Sequence, residues 1–133
     1  MKKTLFLTVI GVVFLVLTAC SNGDRQDGNS KVKSITIQEM ISFKETKRNS
    51  KKKISNVDDV KKVVDAFSNA FQEPGIVDMD DPEFKVKIER ERYYLWFSDD
   101  GRSATIMNVD DTNTVYSMSS TEGIHKIFHA KLE

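Results

Sequence analysis

The pattern of apolar and polar positions divides the chain into three parts. From Thr4 to Thr18 every residue is apolar, Gly or Thr, and the basic start Met1-Lys2-Lys3 precedes this run. A basic start followed by such a run is typical of a secretory signal peptide, and the run is shorter than the ~20 residues of a membrane-spanning helix. Residues 21–31 contain no apolar side chain, which predicts a flexible tether with a reach of about 20 Å. A single folded domain is therefore expected over residues 32–133.

The first part of this domain predicts a strand followed by a helix. Alternating apolar residues from Val32 to Ile37 indicate a strand, which extends to Phe43 in an alternative interpretation. Further on, apolar residues recur at steps of three and four, which predicts an amphipathic helix that ends before Pro74-Gly75. Ser55 or Asn56 can cap its start. Its apolar stripe consists of Val57, Val60, Val63, Val64, Phe67, Ala70 and Phe71.

The second part of the domain has the patterns of β-structure and one more helix. Four strands are predicted, over residues 84–88, 93–97, 105–109 and 115–118, with turns at Asp99-Asp100-Gly101 and 110–113. Ser119 and Glu122 have the spacing of a capping box and predict the start of a final helix. The expected fold class is α+β: an antiparallel sheet of about five strands with two helices packed on one face, in the order β-α-β-β-β-β-α.

The cysteine at the end of the apolar run changes the interpretation of the N-terminus. Leu17-Thr18-Ala19-Cys20 resembles the lipobox of bacterial lipoproteins. The resemblance implies that Cys20 carries acyl chains such as palmitate and that a peptidase removes residues 1–19 as the signal peptide. Residues 20–31 are then a lipidated cysteine with its tether. The alternatives are an ordinary secretory signal with an incidental cysteine, or an uncleaved N-terminal anchor.

Composition limits the partners of the mature chain. Without residues 1–19 it has 18 basic and 20 acidic residues, and this balance argues against a nucleic-acid partner. Cys20 is the only cysteine, so no disulfide or cysteine-ligated metal is expected once it is acylated. No cofactor is predicted. Six of the ten residues from Lys44 to Lys53 are basic, which indicates a solvated loop or, alternatively, a patch attracted to anionic lipid.

Two groups of side chains are candidates for metal binding or hydrolysis. The acidic segment from Asp78 to Glu83 is expected at the same end of the sheet as the turn at residues 99–100, where carboxylates suit Ca²⁺. Ordinary turn residues are the alternative explanation. His125 and His129 share a helix face, as weak zinc ligands or as boundary residues. The weak cation candidates are Asp78, Asp80, Asp99 and Asp100.

Aromatic residues suggest a second kind of site. Tyr93, Tyr94, Trp96, Phe97 and Tyr116 lie on neighbouring predicted strands, and most are expected in the core. Because two helices cover only one sheet face, the other face is expected to stay partly open. The predicted ligand or partner surface combines Tyr94 and Trp96 with Asp78 and Asp81. No catalytic residue is assigned, because no nucleophile elbow, phosphate loop or Cys-His pair is present.

Three short motifs carry a family resemblance. The segments from Pro74 to Glu83, Tyr93 to Trp96 and Val109 to Thr112 resemble the YhfM-like lipoproteins of Bacillus-type bacteria, from about Ile35 onward. The resemblance implies one compact domain on the outer side of a Gram-positive-type cell membrane. It does not indicate any particular activity. The leading hypothesis is a lipid-anchored module that binds a protein, peptide or cell-wall ligand. The alternative is a small metal-dependent or hydrolytic enzyme that uses the acidic segment Asp78–Glu83.

Overall fold

The computed structural model describes residues 32–75 and 78–133. The predicted signal peptide, Cys20 and the predicted tether lie outside these residues. No helix in the described ranges is both long and apolar enough to cross a membrane.

The described residues form one antiparallel sheet and two helices. The strands lie side by side in the order β2-β1-β5-β6-β7-β8-β4, and β3 pairs with the same outer edge of β1 as β2 does. The elements are β1 (Ile35–Ser42), β2 (Glu45–Thr46), β3 (Lys52–Ile54), α1 (Val57–Ser68), β4 (Phe71–Gln72), β5 (Phe84–Ile88), β6 (Glu91–Phe97), β7 (Ser103–Asn108), β8 (Asp111–Ser119) and α2 (Glu122–Leu132).

Period-2 alternation builds the main core. Phe84 and Val86 of β5 lie opposite Leu95 and Tyr93 of β6, and their side chains point to one face of the sheet. Buried residues of both helices belong to the same cluster as these strand residues. The α+β class, with two helices and an antiparallel sheet, is therefore confirmed. The helical members of the cluster are Val60, Val63, Ile124 and Phe128.

The strand count and the element order were predicted wrongly. The described residues contain eight strands instead of about five, and the order is β-β-β-α-β-β-β-β-β-α. The additional strands β2, β3 and β4 have only two or three residues each. Strands this short carry no alternating pattern, and their pairing with β1 or β8 defines them. The segment from Lys44 to Lys53 is therefore only in part a loop.

The first helix begins as predicted and ends earlier. The side chain of Asn56 caps it by accepting hydrogen bonds from the backbone N–H groups of Asp58 and Asp59, at 3.0 and 3.1 Å. It ends at Ser68, and the backbone and side-chain nitrogens of Asn69 both donate to the Asp65 carbonyl. Ala70 and Phe71 therefore lie outside the helix, although their spacing continues the stripe.

The second helix does not use the predicted capping box. Thr121 occupies the N-cap position, and its side chain makes no capping hydrogen bond. The fully buried hydroxyl of Thr121 instead donates to the carbonyl of Gly101 at 2.8 Å. This bond joins the start of α2 to the loop between β6 and β7.

Candidate functional site

The sheet face opposite the helices, called here the helix-free face, carries a second and smaller cluster of apolar residues. Its buried members are Tyr94, Met107 and Val115. The partly buried residues packed against them are Met40, Phe43, Met79, Trp96 and Val109. No helix covers this face in the part of the chain that the structure describes, so the polypeptide covers it with a hairpin and a loop.

Three aromatic rings form the centre of this face, and we call Phe43, Tyr94 and Trp96 the aromatic cluster. The ring of Phe43 lies edge-on to that of Tyr94, with centroids 5.2 Å apart. The centroid of Trp96 is 5.9 Å from that of Phe43 and 6.3 Å from that of Tyr94. These spacings are typical of favourable aromatic pairs.

Hydrogen bonds to the backbone fix the aromatic cluster. The Tyr94 hydroxyl donates to the Phe43 carbonyl at 3.3 Å, and the Phe43 N–H donates to Oδ1 of Asp81 at 3.1 Å. The indole Nε1 of Trp96 donates to the Asp80 carbonyl at 2.9 Å. Residues 80–81 and the start of the β1–β2 turn are thereby held beside the two rings of β6.

The four residues of the predicted binding surface have different environments in the structure. Tyr94 is only 9% exposed, so its ring mostly supports the cluster, whereas Trp96 is half-buried and presents part of its ring to solvent. Asp81 bonds to the turn above the cluster, and Asp78 is exposed. Their role in binding stays a prediction.

Phe43 is a member of the site that the alternation did not reveal. It has the same parity as Ile35 and Ile37, which point to the helices, and the sequence pattern therefore places it on the wrong face. A register irregularity lies between Met40 and Ser42, where β1 pairs with β2. A bulge of this kind changes which face the following side chains occupy, and Phe43 packs with Met40 on the helix-free face.

The acidic residues Glu83 and Asp100 accept hydrogen bonds from backbone and hydroxyl groups and do not form a carboxylate cluster. Oε1 of Glu83 accepts a hydrogen bond from the backbone N–H of Phe97 at 3.1 Å. Oδ1 of Asp100 accepts one from the Arg102 N–H at 3.0 Å and one from the Ser98 hydroxyl at 2.7 Å. These donors lower the pKa of Asp100 below its usual value. Within residues 32–75 and 78–133, no three His, Cys, Asp or Glu side chains come together as a metal site.

A groove beside the helices gives no support to a hydrolytic site either. It has a volume of about 400 Å³ and lies between α1, the end of β8 and the start of α2. Asp65 is the one carboxylate among its described lining residues, and Lys61 pairs with it at 2.7 Å.

The two histidines pack on the aromatic residues of the core. Their ring centroids are 4.3 Å apart, and that of His125 is 4.9 Å from the ring of Phe97. The imidazole of His125 also lies beneath Gly101, whose positive φ of 68° and missing Cβ allow this approach. These contacts match boundary residues at the end of the sheet.

The comparisons with known proteins address the family. No curated protein and no solved structure matches the chain. A family model described as "YhfM protein" matches residues 30–133, which include every helix and strand described above. The chain therefore belongs to the YhfM protein family.

Proposed function

We propose that this protein is an extracytoplasmic lipoprotein, anchored in the cell membrane through Cys20, that binds a protein, peptide or cell-wall ligand through its helix-free face. The partly exposed Trp96, fixed between Phe43 and the Asp80 carbonyl, is the observation that carries the binding role. The anchoring role rests on the apolar run that ends in Leu17-Thr18-Ala19-Cys20.

The anchoring is tested on the protein produced in its natural type of host. Mass spectrometry of the N-terminal peptide should show that the mature chain begins at Cys20 and carries two or three acyl chains. Wild-type protein should enter the detergent phase in a phase-separation assay, because each buried CH₂ contributes ~0.8 kcal/mol of membrane affinity. The variant Cys20→Ala should lack the acyl groups. An unmodified cysteine in the wild-type peptide would contradict the anchoring.

The aromatic cluster has the properties of a binding surface. Trp and Tyr are enriched among the residues that dominate binding energy, because they bury a large rigid area at low entropic cost. Three hydrogen bonds to backbone groups already hold the cluster in place, so a ligand would spend little free energy on ordering it. The half-exposed indole of Trp96 is the group that a partner would cover.

The binding role is tested by cross-linking in intact cells. A photo-activatable residue at Lys85, which neighbours Tyr94 across β5 and β6, should capture a partner that mass spectrometry identifies. Trp96→Ala should reduce the capture at least tenfold, and Trp96→Phe should restore part of it. Phe71→Ala removes another exposed aromatic residue, on the edge strand β4, and should leave the capture unchanged.

Two outcomes would count against this role. Capture that is equal in wild type and Trp96→Ala would place the interaction elsewhere. Loss of capture together with loss of the thermal unfolding transition in both Trp96 variants would assign Trp96 to the core.

A further inference from the structure

The basic stretch of the sequence runs along one edge of the sheet. After β1 the chain turns back, and β2 pairs with the end of β1 while β3 pairs with its beginning. Residues 44–53 thus line the outer side of β1, which would otherwise present unpaired backbone groups. We call their six basic side chains the basic edge: Lys44, Lys47, Arg48, Lys51, Lys52 and Lys53.

The charges of the basic edge are largely free of partners. All six side chains are exposed, and the stretch contains one acidic residue, Glu45. Lys47 pairs with Glu39 at 2.8 Å. The other five make no ion pair within the described residues. A row of positive charges along this edge is therefore available to an anionic surface.

The basic edge lies where the chain leads toward the predicted anchor. Ile35 pairs with Ile54 and Thr36 with Lys53, so Lys53 is one strand spacing, about 4.8 Å, from the first residues of β1. Residues 32–34 continue from there toward Cys20. Two strongly exposed apolar side chains flank the edge: Ile41 near its far end, 56% exposed, and Val57 after β3, 80% exposed.

We propose that the basic edge docks on the anionic lipid headgroups of the membrane that holds the anchor. The docking orients the domain with the basic edge toward the bilayer and β4 away from it, six strand spacings or about 29 Å from β2. The plane of the sheet is then perpendicular to the membrane, so a partner can reach the helix-free face from the side. This inference rests on the proposed lipid anchoring.

The electrostatics suffice for such an orientation. Each basic residue near an anionic membrane increases the affinity of the protein for that membrane about fivefold, so three lysines together contribute on the order of 100-fold. The predicted tether, with a reach of about 20 Å, would keep the edge close to the headgroups even when it is undocked. The attraction is screened over about 10 Å at 0.1 M salt and about 3 Å at 1 M salt, which gives it a characteristic salt dependence.

The experiment measures which edge faces the bilayer. The mature lipidated protein is reconstituted in vesicles of phosphatidylcholine, with or without 30% phosphatidylglycerol. A fluorophore is attached at Ser55→Cys, next to β3, or at Asn113→Cys, on β8 toward the opposite edge. Quenching by headgroup nitroxide lipids should be at least twofold stronger for the Ser55→Cys label than for the Asn113→Cys label in the anionic vesicles. In phosphatidylcholine alone this difference should be much smaller, because only the tether then keeps the edge near the headgroups.

Matched variants assign the effect to the basic edge. Lys51→Gln/Lys52→Gln/Lys53→Gln should reduce the difference between the two labels to its value in phosphatidylcholine, as should 1 M salt. The control Lys62→Gln/Lys126→Gln/Lys131→Gln removes three exposed lysines from the helices and should preserve it.

Equal quenching of both labels in anionic vesicles would overturn the inference, as would a difference of the same size in phosphatidylcholine alone. Self-association of the triple Gln variant, measured by light scattering, would instead assign the lysines to protection of the sheet edge. Failure of the anchoring proposal is distinguishable, because an unlipidated chain would not float with phosphatidylcholine vesicles at all.

Discussion

The hydroxyl of Tyr94 donates to the carbonyl of Phe43, while the N–H of the same Phe43 donates to Asp81. One residue of the β1–β2 turn is therefore bonded on both sides, by a strand and by the loop before β5. We expect these two bonds to be energetically coupled, because both depend on the position of Phe43.

A double-mutant cycle measures this coupling. Tyr94→Phe and Asp81→Ala should each lower the free energy of unfolding by about 0.5–1.5 kcal/mol, the usual net contribution of such a bond. The double variant should lose less than the sum, by about 0.5 kcal/mol or more, in urea unfolding. Tyr116→Phe is the control, since the Tyr116 hydroxyl makes no hydrogen bond among the described residues, and it should change stability little. Strict additivity would show that the turn is held by other contacts.

Trp96 and Leu95 are neighbours in β6 that point to opposite faces, and their truncation should have different costs. Leu95 is fully buried in the main core, so Leu95→Ala should lower the free energy of unfolding by about 2–5 kcal/mol. Trp96 is half-exposed, so Trp96→Ala should cost about 1–2 kcal/mol, less than full burial of a large side chain contributes. Chemical unfolding of both variants checks this order. A larger loss of stability for Trp96→Ala than for Leu95→Ala would contradict the assignment of Trp96 to a partly exposed binding surface.

Gly101 should tolerate no side chain. A Cβ there would lie 2.8 Å from Cγ of His125, and φ is +68°, so Gly101→Ala should lower stability by at least about 1–3 kcal/mol. Gly123 in α2 has open space around the same position, so Gly123→Ala should raise stability by about 0.5–1 kcal/mol. Thermal unfolding of the two variants provides the comparison. Adding His125→Ala to Gly101→Ala should relieve the steric part of the cost.

The stability of the protein should depend on pH through Asp100. Hydrogen bonds from the Arg102 N–H and the Ser98 hydroxyl hold the pKa of Asp100 below the ordinary value of an aspartate. The ionised Asp100 therefore stabilises the fold at any pH above the ordinary aspartate pKa, and this contribution is lost as the pH falls through the lowered pKa. An NMR titration should therefore find a lower pKa for Asp100 than in Ser98→Ala, which lacks one donor. Unchanged pKa values in the variant would attribute the shift to the Arg102 N–H alone.

The parts of the fold that follow a local period were predictable from the sequence. The start of α1, the strands β5 to β8 and the stripe of α2 follow steps of two or of three and four. The missed features depend on contacts between distant residues. Phe71 leaves the helical stripe because it pairs with Ser117, and Ser119 does not cap α2 because Thr121 bonds back to Gly101.

Only part of the candidate site could likewise be predicted from the sequence. The partly exposed indole of Trp96 agrees with an aromatic strand in a sheet that has helices on one face. The covering residue Phe43 did not, because the irregularity in β1 reverses its side and carries no signature in the residue types. The separation of the acidic residues also depends on backbone donors, such as the Phe97 N–H, that a sequence does not display.

The position of Trp96 also has a spectroscopic consequence. It is the only tryptophan of the chain, and its indole N–H bonds to a backbone carbonyl on the helix-free face. Intrinsic fluorescence excited at long wavelength therefore comes from a single known place, beside Phe43 and Tyr94. A shift in its emission on adding a partner would therefore indicate a change at that place without any label.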